Sequence, residues 1–475
     1  MRPSGCGIVR GRADVKLFFR MVPATILANL LASCAATPTA RPDVVQNIPA
    51  TFTSKARTDA QAEPVDDKWW ESFGDPRLNA LVEEAVQESP SIGQVIAQIE
   101  QARAQARISR SDLLPQVGAG LAASGTGGKA AAGIGDSFDL SVSVSWEADL
   151  WGKLSAQNAA SRADYLASIA TLRATRQAVA AQTVRTYFAV IEADEQIALS
   201  SRVLETYDEL SRQLNLRVAA GVDPLSLKTL VITDQQSARG GLELRREDSE
   251  RLVRQLEILL RDYPDGQIAV AEALPQLPPV PATGVPAELL ARRPDIAAAE
   301  LRLKAAGYRV DAAKRSFLPS LILDGSAGNS AASFANLFDG NFFIWSIAGQ
   351  LLQPIFQGGR LRAQVDQREG ERDEALERFA ETALQALFEV ETALAIDGSL
   401  ARREAAFLAA ADAAEQSVDI STKRYRAGIE PFFNVLETQQ RALDARSAFL
   451  STRRARLNNR VDLHLALGGG FTGLP

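Results

Sequence analysis

The sequence predicts an α+β membrane protein built from two tandem repeats, each with two β-strands and a long helical hairpin. Apolar and polar residues alternate over 138–146, and more loosely over 343–351, for the length of a transmembrane β-strand. The stretches 153–220 and 361–427 contain no proline and are far longer than an average helix. Ordered sequence landmarks also recur at a nearly constant offset, which is the signature of a duplicated unit.

Residue counts exclude several function classes. The 475 residues carry 52 Lys and Arg against 58 Asp and Glu, so the chain lacks the basic excess that binds nucleic-acid phosphates. One histidine, His464, and two cysteines, Cys6 and Cys34, are too few for an ordinary zinc, copper or iron–sulfur site. We therefore expect no metal, no other cofactor and no His-dependent catalytic triad. The residue counts do not exclude hydrolases whose catalysis needs only carboxylate side chains.

Residues 1–33 predict a lipoprotein signal peptide. A basic leader precedes the mostly apolar stretch 21–31, which is too short to span a bilayer as a helix. The next residues read Leu-Ala-Ser-Cys and resemble the lipobox of bacterial lipoproteins, so Cys34 is the expected lipid-modified N-terminus. An ordinary secretory signal with an incidental cysteine is the alternative. Asp after that cysteine favours inner-membrane retention in such lipoproteins, and Ala35 here indicates the outer membrane instead.

Two segments of the mature chain are not expected to form long helices or strands. Residues 34–68 are rich in Ala, Thr, Pro, Gln and Asp, so they predict an extended tether. Seven of the 21 prolines lie between 264 and 294, and no long helix crosses such a stretch. Residues 264–285 therefore predict a linker between repeat one, 69–263, and repeat two, 286–475.

The repeat is carried by four pairs of landmarks in the same order. The first two pairs are 204 residues apart and the last two are 207 apart. The pairs are Pro90-Ser91-Ile92 with Pro294-Asp295-Ile296, Leu113-Leu114-Pro115 with Phe317-Leu318-Pro319, Gly152-Lys153-Leu154 with Gly359-Arg360-Leu361, and 217–224 with 424–431. One pair alone would be unremarkable, but the ordered set indicates a tandem duplication whose copies bury their cores against each other.

Each repeat is expected to begin with an amphipathic helix, at 79–112 in repeat one and at 286–316 in repeat two. Two strands follow in each repeat. We expect these strands at 117–124, 138–146, 321–327 and 343–351. Nine to eleven alternating residues fit a tilted transmembrane strand. Half-buried strands of a soluble sheet are the alternative.

A long helical hairpin follows each strand pair. Residues 153–220 would form a helix of roughly 100 Å, and its apolar residues step by three and four in coiled-coil spacing. Helices return along 225–263 and 432–467, so the turns at Gly221 and Gly428 are the expected hairpin tips. Glycines that merely end the helices would give the same geometry.

Four membrane-length strands are too few for one chain to close a barrel, because the smallest bacterial barrels have about eight. An open strand edge in lipid leaves backbone groups unpaired. We therefore expect the strands to close with those of other copies. The long helices would then extend the barrel into the periplasm.

Along its whole mature length the chain resembles the TolC-like outer-membrane efflux proteins, and within them the NodT-like lipoprotein branch. The motifs that carry the resemblance are Trp69-Trp70-Glu71, Phe73-Gly74-Asp75-Pro76, Leu113-Leu114-Pro115, Glu147 to Gly152, Arg293-Pro294-Asp295-Ile296, Arg424-Tyr425-x-x-Gly428 and Leu467-Gly468-Gly469-Gly470. The resemblance implies a homotrimer. Its 12-stranded β-barrel, with four strands per protomer, would continue into a long α-helical periplasmic barrel.

The resemblance also implies a function without enzymatic activity. The chain would be a passive exit duct in the outer membrane, anchored by lipid at Cys34. It would dock to a periplasmic adaptor (membrane fusion) protein and to an inner-membrane pump of the RND type, and would conduct small molecules or drugs. A duct for type I protein secretion remains an alternative, because substrate choice in this family lies mostly with the pump.

Two other classes compete with a channel. A structural periplasmic coiled-coil lipoprotein would explain Cys34 and the helices, but not the alternating strands or the duplicated plan. A carboxylate-based cell-wall hydrolase would need a cleft-forming pattern, and the sequence contains none that we recognise.

The resemblance assigns roles to residues at the hairpin tips. In the family, acidic residues six and nine positions past the second tip glycine ring the periplasmic constriction. Asn434 and Glu437 hold these positions, so one carboxylate is kept and the other is replaced. A solvated helix residue is the alternative reading of Glu437. Tyr425 matches a tyrosine that latches the closed tip. The residues that match the adaptor-contact turns are Gly221, Val222, Gly428 and Ile429.

Overall fold

The computed structural model describes residues 48–49, 51–53, 67–126, 135–281, 283 and 285–469. The expected signal peptide and Cys34 lie outside the described residues. So does most of the expected tether.

Repeat one contributes four helices and two strands to the described part of the chain. They are α1 (Pro76–Glu88), α2 (Pro90–Ser111), β1 (Gln116–Thr126), β2 (Gly135–Ala148), α3 (Lys153–Ala219) and α4 (Leu225–Leu260). A short 3₁₀ helix, Trp69–Phe73, precedes α1. The helix α3 runs for 67 residues without interruption, as the absence of Gly and Pro predicts.

Repeat two follows the same plan. Its elements are α5 (Pro286–Arg292), α6 (Pro294–Arg315), β3 (Ser320–Ala331), β4 (Phe343–Leu352), α7 (Arg360–Arg426) and α8 (Phe432–Ala466). The helix α7 has the same length as α3, 67 residues. Gly370 and Gly398 lie inside α7 without ending it.

The prediction of a single helix at 79–112 and at 286–316 is wrong in one respect, because a proline breaks each of these helices. Ser89 before Pro90 and Arg293 before Pro294 both have an extended ψ of 129°. The proline ring disfavours the α-helical conformation of the residue before it. Each proline instead starts a new helix, where its missing N–H costs nothing.

The four strands form one antiparallel sheet in the order β1-β2-β3-β4. Residues directly opposite each other share a face of the sheet, so the register shows on which of the two faces each side chain of the strands lies. One face is mainly apolar and includes Val117, Leu121, Leu140, Val142, Val144, Leu323, Trp345 and Ile347. The other face is mainly polar and includes Ser124, Asp139, Ser141, Ser143, Ser145, Asp324, Ser326 and Ser346.

Hydrogen bonds between strands tie the polar face together. The Ser145 hydroxyl donates to the Asp324 carboxylate at 2.7 Å. The hydroxyl oxygens of Ser326 and Ser346 lie 2.8 Å apart, across the β3–β4 pair. These bonds join side chains of neighbouring strands on the polar face.

The helices lie side by side in two sets that share α3 and α7. Next to the sheet, the contacts run in the order α2-α3-α6-α7. Towards the hairpin tips, they run in the order α4-α3-α8-α7. One side of this arrangement therefore carries β1, α2 and α4, and the other side carries β4 and α7.

The largest buried cluster joins both repeats to the N-terminal segment. Trp69, Trp70 and Phe73 insert against Phe188 of α3 and Val461 of α8. The rings of Phe73 and Phe188 meet edge to face at 5.1 Å, a geometry that adds to the gain from apolar burial.

The proline-rich linker is held by side chains. Arg453 donates to the Leu274 carbonyl at 2.9 Å, and Arg460 donates to the Pro278 carbonyl. The buried Glu257 carboxylate accepts the N–H of Gly266 at 2.8 Å. Backbone groups that cannot join a helix or a strand are thereby satisfied.

Residues of the expected tether also contact α7. Thr53 donates through its N–H and its hydroxyl to Glu391 Oε1, at 2.7 and 2.9 Å, and the neighbouring Phe52 is buried. Within the described ranges, no helix combines the length and the apolar character that a membrane crossing requires.

His464 is the chain's one histidine and is buried in this core. Its imidazole stacks on Trp69, with ring centroids 5.4 Å apart and planes 15° from parallel. Burial, assisted by the charge of Arg460, lowers the pKa of His464 to about 4. The folded protein therefore holds a neutral imidazole at pH 7.

We predict that this imidazole makes the protein sensitive to acid. A folded-state pKa below the unfolded value of about 6.5 contributes stability above pH 6.5, and this is lost as the pH falls towards 4. His464→Phe retains a flat ring on Trp69 but cannot titrate. The loss of stability between pH 6.5 and 4, on the order of 3 kcal/mol for a fully buried imidazole, should be smaller in this variant.

Denaturation midpoints measured from pH 8 to pH 4 check this prediction. The comparison at pH 8, where the imidazole is neutral in both folded and unfolded wild-type protein, isolates the packing effect of the substitution. Parallel pH profiles for the two proteins would contradict it.

Candidate functional site

The two hairpin tips have the same backbone geometry. Tip one is residues 217–224 and tip two is residues 424–431. Gly221 and Gly428 have φ of 71° and 72°, a left-handed conformation that glycine adopts without strain. In both tips the N–H that follows the glycine donates back to the arginine carbonyl that opens the turn, at 2.8 and 2.9 Å.

An ion pair crosses each turn. In tip one, Arg217 Nε lies 2.6 Å from Asp223 Oδ2. In tip two, the corresponding atoms are Arg424 Nε and Glu430 Oε2, which are 3.5 Å apart. Both pairs join residues six positions apart, so the two tips share an interaction as well as a backbone shape. The bond from Arg217 is also the main reason why the pKa of Asp223 is lowered.

Tyr425 joins the two tips. Its side chain is only 2% exposed, and its hydroxyl donates to Asp223 Oδ2 at 3.0 Å. The Arg217 guanidinium lies 5.0 Å from the ring centroid, which is cation–π distance. Burial, and then the bond to Asp223, raise the pKa of Tyr425 to about 12. The hydroxyl therefore remains a donor at physiological pH.

A small apolar core supports this contact. Its members come from all four long helices and are Val203, Tyr207, Leu210, Leu214, Val231, Tyr425, Phe432, Val435 and Leu436. The rings of Tyr425 and Phe432 meet edge to face at 5.0 Å. The hairpins are therefore packed against each other just behind the tips.

The turns themselves remain accessible. Val222 is 60% exposed and Ile429 is 68% exposed. Each apolar side chain follows a tip glycine, so both tips present an aliphatic residue at the same position.

Glu437 lies on the exposed face of α8. Because α8 is flanked by α3 and α7, one stripe of the helix remains open. The exposed residues of this stripe are Phe433, Glu437, Gln440, Arg441, Asp444, Ser451 and Ala455. Glu437 Oε1 accepts a hydrogen bond from Arg441 at 2.6 Å, one helical turn further along.

Asn434 is half-buried at the edge of this stripe. Its Nδ2 donates to Glu430 Oε1 at 2.8 Å, on the preceding turn. Glu430 thus contacts both Asn434 and Arg424, and it connects the expected gate position to the ion pair of tip two.

The structure adds three residues that the sequence analysis did not name. Arg217 and Asp223 bind Tyr425, and Arg441 binds Glu437. The first pair had a sequence signal, since an arginine and an acid recur at the same spacing in both repeats. The Glu437–Arg441 pair also had a sequence signal, because Glu and Arg four positions apart on a helix are neighbours. Among the described residues, no group of His, Cys, Asp and Glu side chains is placed to hold a metal ion.

Comparison with known proteins identifies relatives along most of the chain. The chain is 33% identical over 472 residues to outer membrane protein OprJ of Pseudomonas aeruginosa, covering 95% of this chain and 96% of OprJ. It is 33% identical over 476 residues to the pyoverdine export outer membrane protein OpmQ of Pseudomonas putida, covering 93% and 96%.

Solved structures share the fold. The CmeC outer membrane channel of Campylobacter jejuni superposes with a TM-score of 0.83 at 26% identity, covering 92% of this chain and 94% of CmeC. The open-state MtrE outer membrane channel of Neisseria gonorrhoeae superposes with a TM-score of 0.80 at 26% identity, covering 91% and 98%.

The family model described as outer membrane efflux protein matches residues 81–230 and 285–469. These ranges contain all four strands and both hairpin tips. The chain therefore belongs to the outer membrane efflux protein family.

Proposed function

We propose that three copies of this chain close into a duct that carries small molecules across the outer membrane as the exit stage of a tripartite efflux pump. The observation that carries the proposal is that both the sheet and the helix sets have two outer elements with an unpaired side. In the sheet the outer strands are β1 and β4, and in the two helix sets the outer helices are α2 or α4 on one side and α7 on the other.

The residues on these open sides favour contact with another copy. All ten residues of β4 are exposed. Apolar side chains are exposed on the outer helices, among them Leu384, Phe388 and Ile396 of α7 and Leu230, Ile232 and Leu244 of α4. Two different surfaces that complement each other generate a ring when the rotation closes. Three copies of a four-stranded sheet would give the 12-stranded barrel.

The composition of the two faces of the sheet indicates which face would be outside the barrel and which would be inside. The apolar face would contact lipid, and the polar face with Asp139 and Asp324 would line an aqueous lumen. The opposite arrangement would place carboxylates in hydrocarbon, at a cost of several kcal/mol.

The tips would bind the periplasmic adaptor, through which the duct would receive substrate from an inner-membrane pump of the RND type. Two features support this role: the exposed Val222 and Ile429, and the rigid turns that carry them. We also propose Tyr425 as the latch between the hairpins, since its bond to Asp223 is the contact that separation of the tips would break. We further propose that the chain divides into repeat one at 69–263, a linker at 264–285 and repeat two at 286–475.

We predict that arginine substitutions on adjacent residues of β2 have opposite outcomes. Val142→Arg would place a charge on the lipid face, at a cost of roughly 2–4 kcal/mol near mid-membrane, and should reduce heat-modifiable trimers. Ser143→Arg would face the lumen, so it should assemble and change the conductance. Equal behaviour of the two variants would contradict a membrane strand.

We predict that Cys34 carries lipid after cleavage of the leader. Several acyl chains anchor a protein because each buried CH₂ contributes about 0.8 kcal/mol. Cys34→Ala should therefore abolish incorporation of a labelled fatty acid, whereas trimers can still insert through the barrel. Unchanged labelling would refute the lipidation site.

We predict that the periplasmic constriction is formed by Glu437 with Asn434 nearby. In planar bilayers, Glu437→Gln should lower the preference for cations and the block by multivalent cations, and Asn434→Asp should raise both. Glu243→Gln on α4 is a control, because it removes an exposed carboxylate from a different helix. If neither substitution changes the ion selectivity, the gate lies elsewhere. If the protein has no conductance, it is a structural spacer and not a duct.

A further inference from the structure

The Glu437 carboxylate has a cationic neighbour on its own helix. Arg441 NH2 lies 2.6 Å from Glu437 Oε1, and both side chains belong to the exposed stripe of α8. Glutamate on the N-terminal side of a basic residue four positions away is the favourable order for such a pair. In the part of the chain that the structure describes, Glu437 is the acidic partner found for Arg441.

Two other acidic residues lie near this pair. Seven residues before Glu437, Glu430 binds Asn434 and pairs with Arg424. On the following turn Asp444 accepts a hydrogen bond from Gln440 at 2.9 Å. Gln440 carries no charge, so Asp444 remains negatively charged, but the direct ion pair joins Arg441 to Glu437.

Helical rise places Arg441 about 6 Å from Glu437 along α8. That distance is shorter than the screening length of about 8 Å at physiological salt. An ion in a narrow throat would therefore sense both charges together. Three copies would present a ring of carboxylates and, one turn further inside, a ring of guanidinium groups.

We infer that Arg441 is a second selectivity-determining residue of the duct, whose charge offsets the Glu437 ring and weakens the preference of the constriction for cations. This inference rests on the proposed trimeric duct and deepens it. A carboxylate ring whose charge is partly offset favours cations less strongly than a bare carboxylate ring would. Charge discrimination would then depend on the balance of two rings.

Ion selectivity gives a test in which the two charges act with opposite sign. Arg441→Gln should raise the permeability ratio of potassium to chloride by about threefold or more, because three screened charges are removed. Glu437→Gln should lower the ratio below the wild-type value, since Glu437 then no longer offsets the guanidinium ring. The double variant should return to within about twofold of the wild-type ratio.

Two further variants separate charge from structure. Arg441→Lys keeps the positive charge and should retain the wild-type ratio. Arg251→Gln removes an equally exposed arginine from the Arg251–Asp248 pair on α4, and it should leave the ratio unchanged. Trimer migration on gels verifies that every variant is assembled before the bilayer measurement.

The outcomes distinguish the inference from the function on which it rests. If Glu437→Gln shifts the ratio and Arg441→Gln does not, the inference is overturned and the duct remains. If neither variant shifts it, Arg441 has no role in selectivity and the gate lies elsewhere. If the wild-type protein conducts no ions, the proposed function fails and the inference fails with it.

Discussion

Backbone N–H and C=O groups at the two edges of the sheet need hydrogen-bond partners, and four strands from one chain cannot close on themselves to supply them. In lipid this constraint is severe, because water is absent as a substitute partner. The helices next to β1 and β4 are also the outer helices of their sets. In the proposed trimer the same two sides would close in the sheet and in the helical part, so one rotation would satisfy both.

The two repeats share an element order and a tip geometry, and their tips differ in the residues that contact each other. Both tips use a left-handed glycine and an Arg–acid pair across the turn. Only repeat two has Tyr425, because Val218 holds the equivalent position in repeat one. The tyrosine of repeat two can donate to the acid of repeat one. Valine at both positions could not form this hydrogen bond. The hydrogen bond between the tips therefore depends on a residue that differs between the two repeats.

The helix α8 is held differently at its two ends. Near its C-terminus, Arg453 and Arg460 bind the linker carbonyls and His464 stacks on Trp69. Near its N-terminus, the contacts are the tip core and the Tyr425 bond. Movement of the proposed gate would therefore have to disrupt the tip core and the Tyr425 bond, while the contacts with the linker and the N-terminal segment would keep the other end of the helix in place.

The sequence alone determined the elements that depend on local periodicity. Alternation gave the two faces of β2, uninterrupted helix-forming residues gave the length of α3, and glycine positions gave the tips. It also placed Glu437 on the returning helix, through the family resemblance. The breaks at Pro90 and Pro294 were equally local and could have been predicted from the restriction that proline imposes on its predecessor.

The tertiary structure alone decided which of these elements meet. Tyr425 and Asp223 are 202 residues apart, and no pattern within either hairpin indicates that the hydroxyl reaches that carboxylate. Sheet order, and with it the identity of the open edges, depends in the same way on pairing between β2 and β3, which belong to different repeats. Local sequence fixes backbone periodicity because those interactions span a few residues. Contacts between repeats depend on how two hairpins pack, and that is set by the burial of side chains from the whole chain.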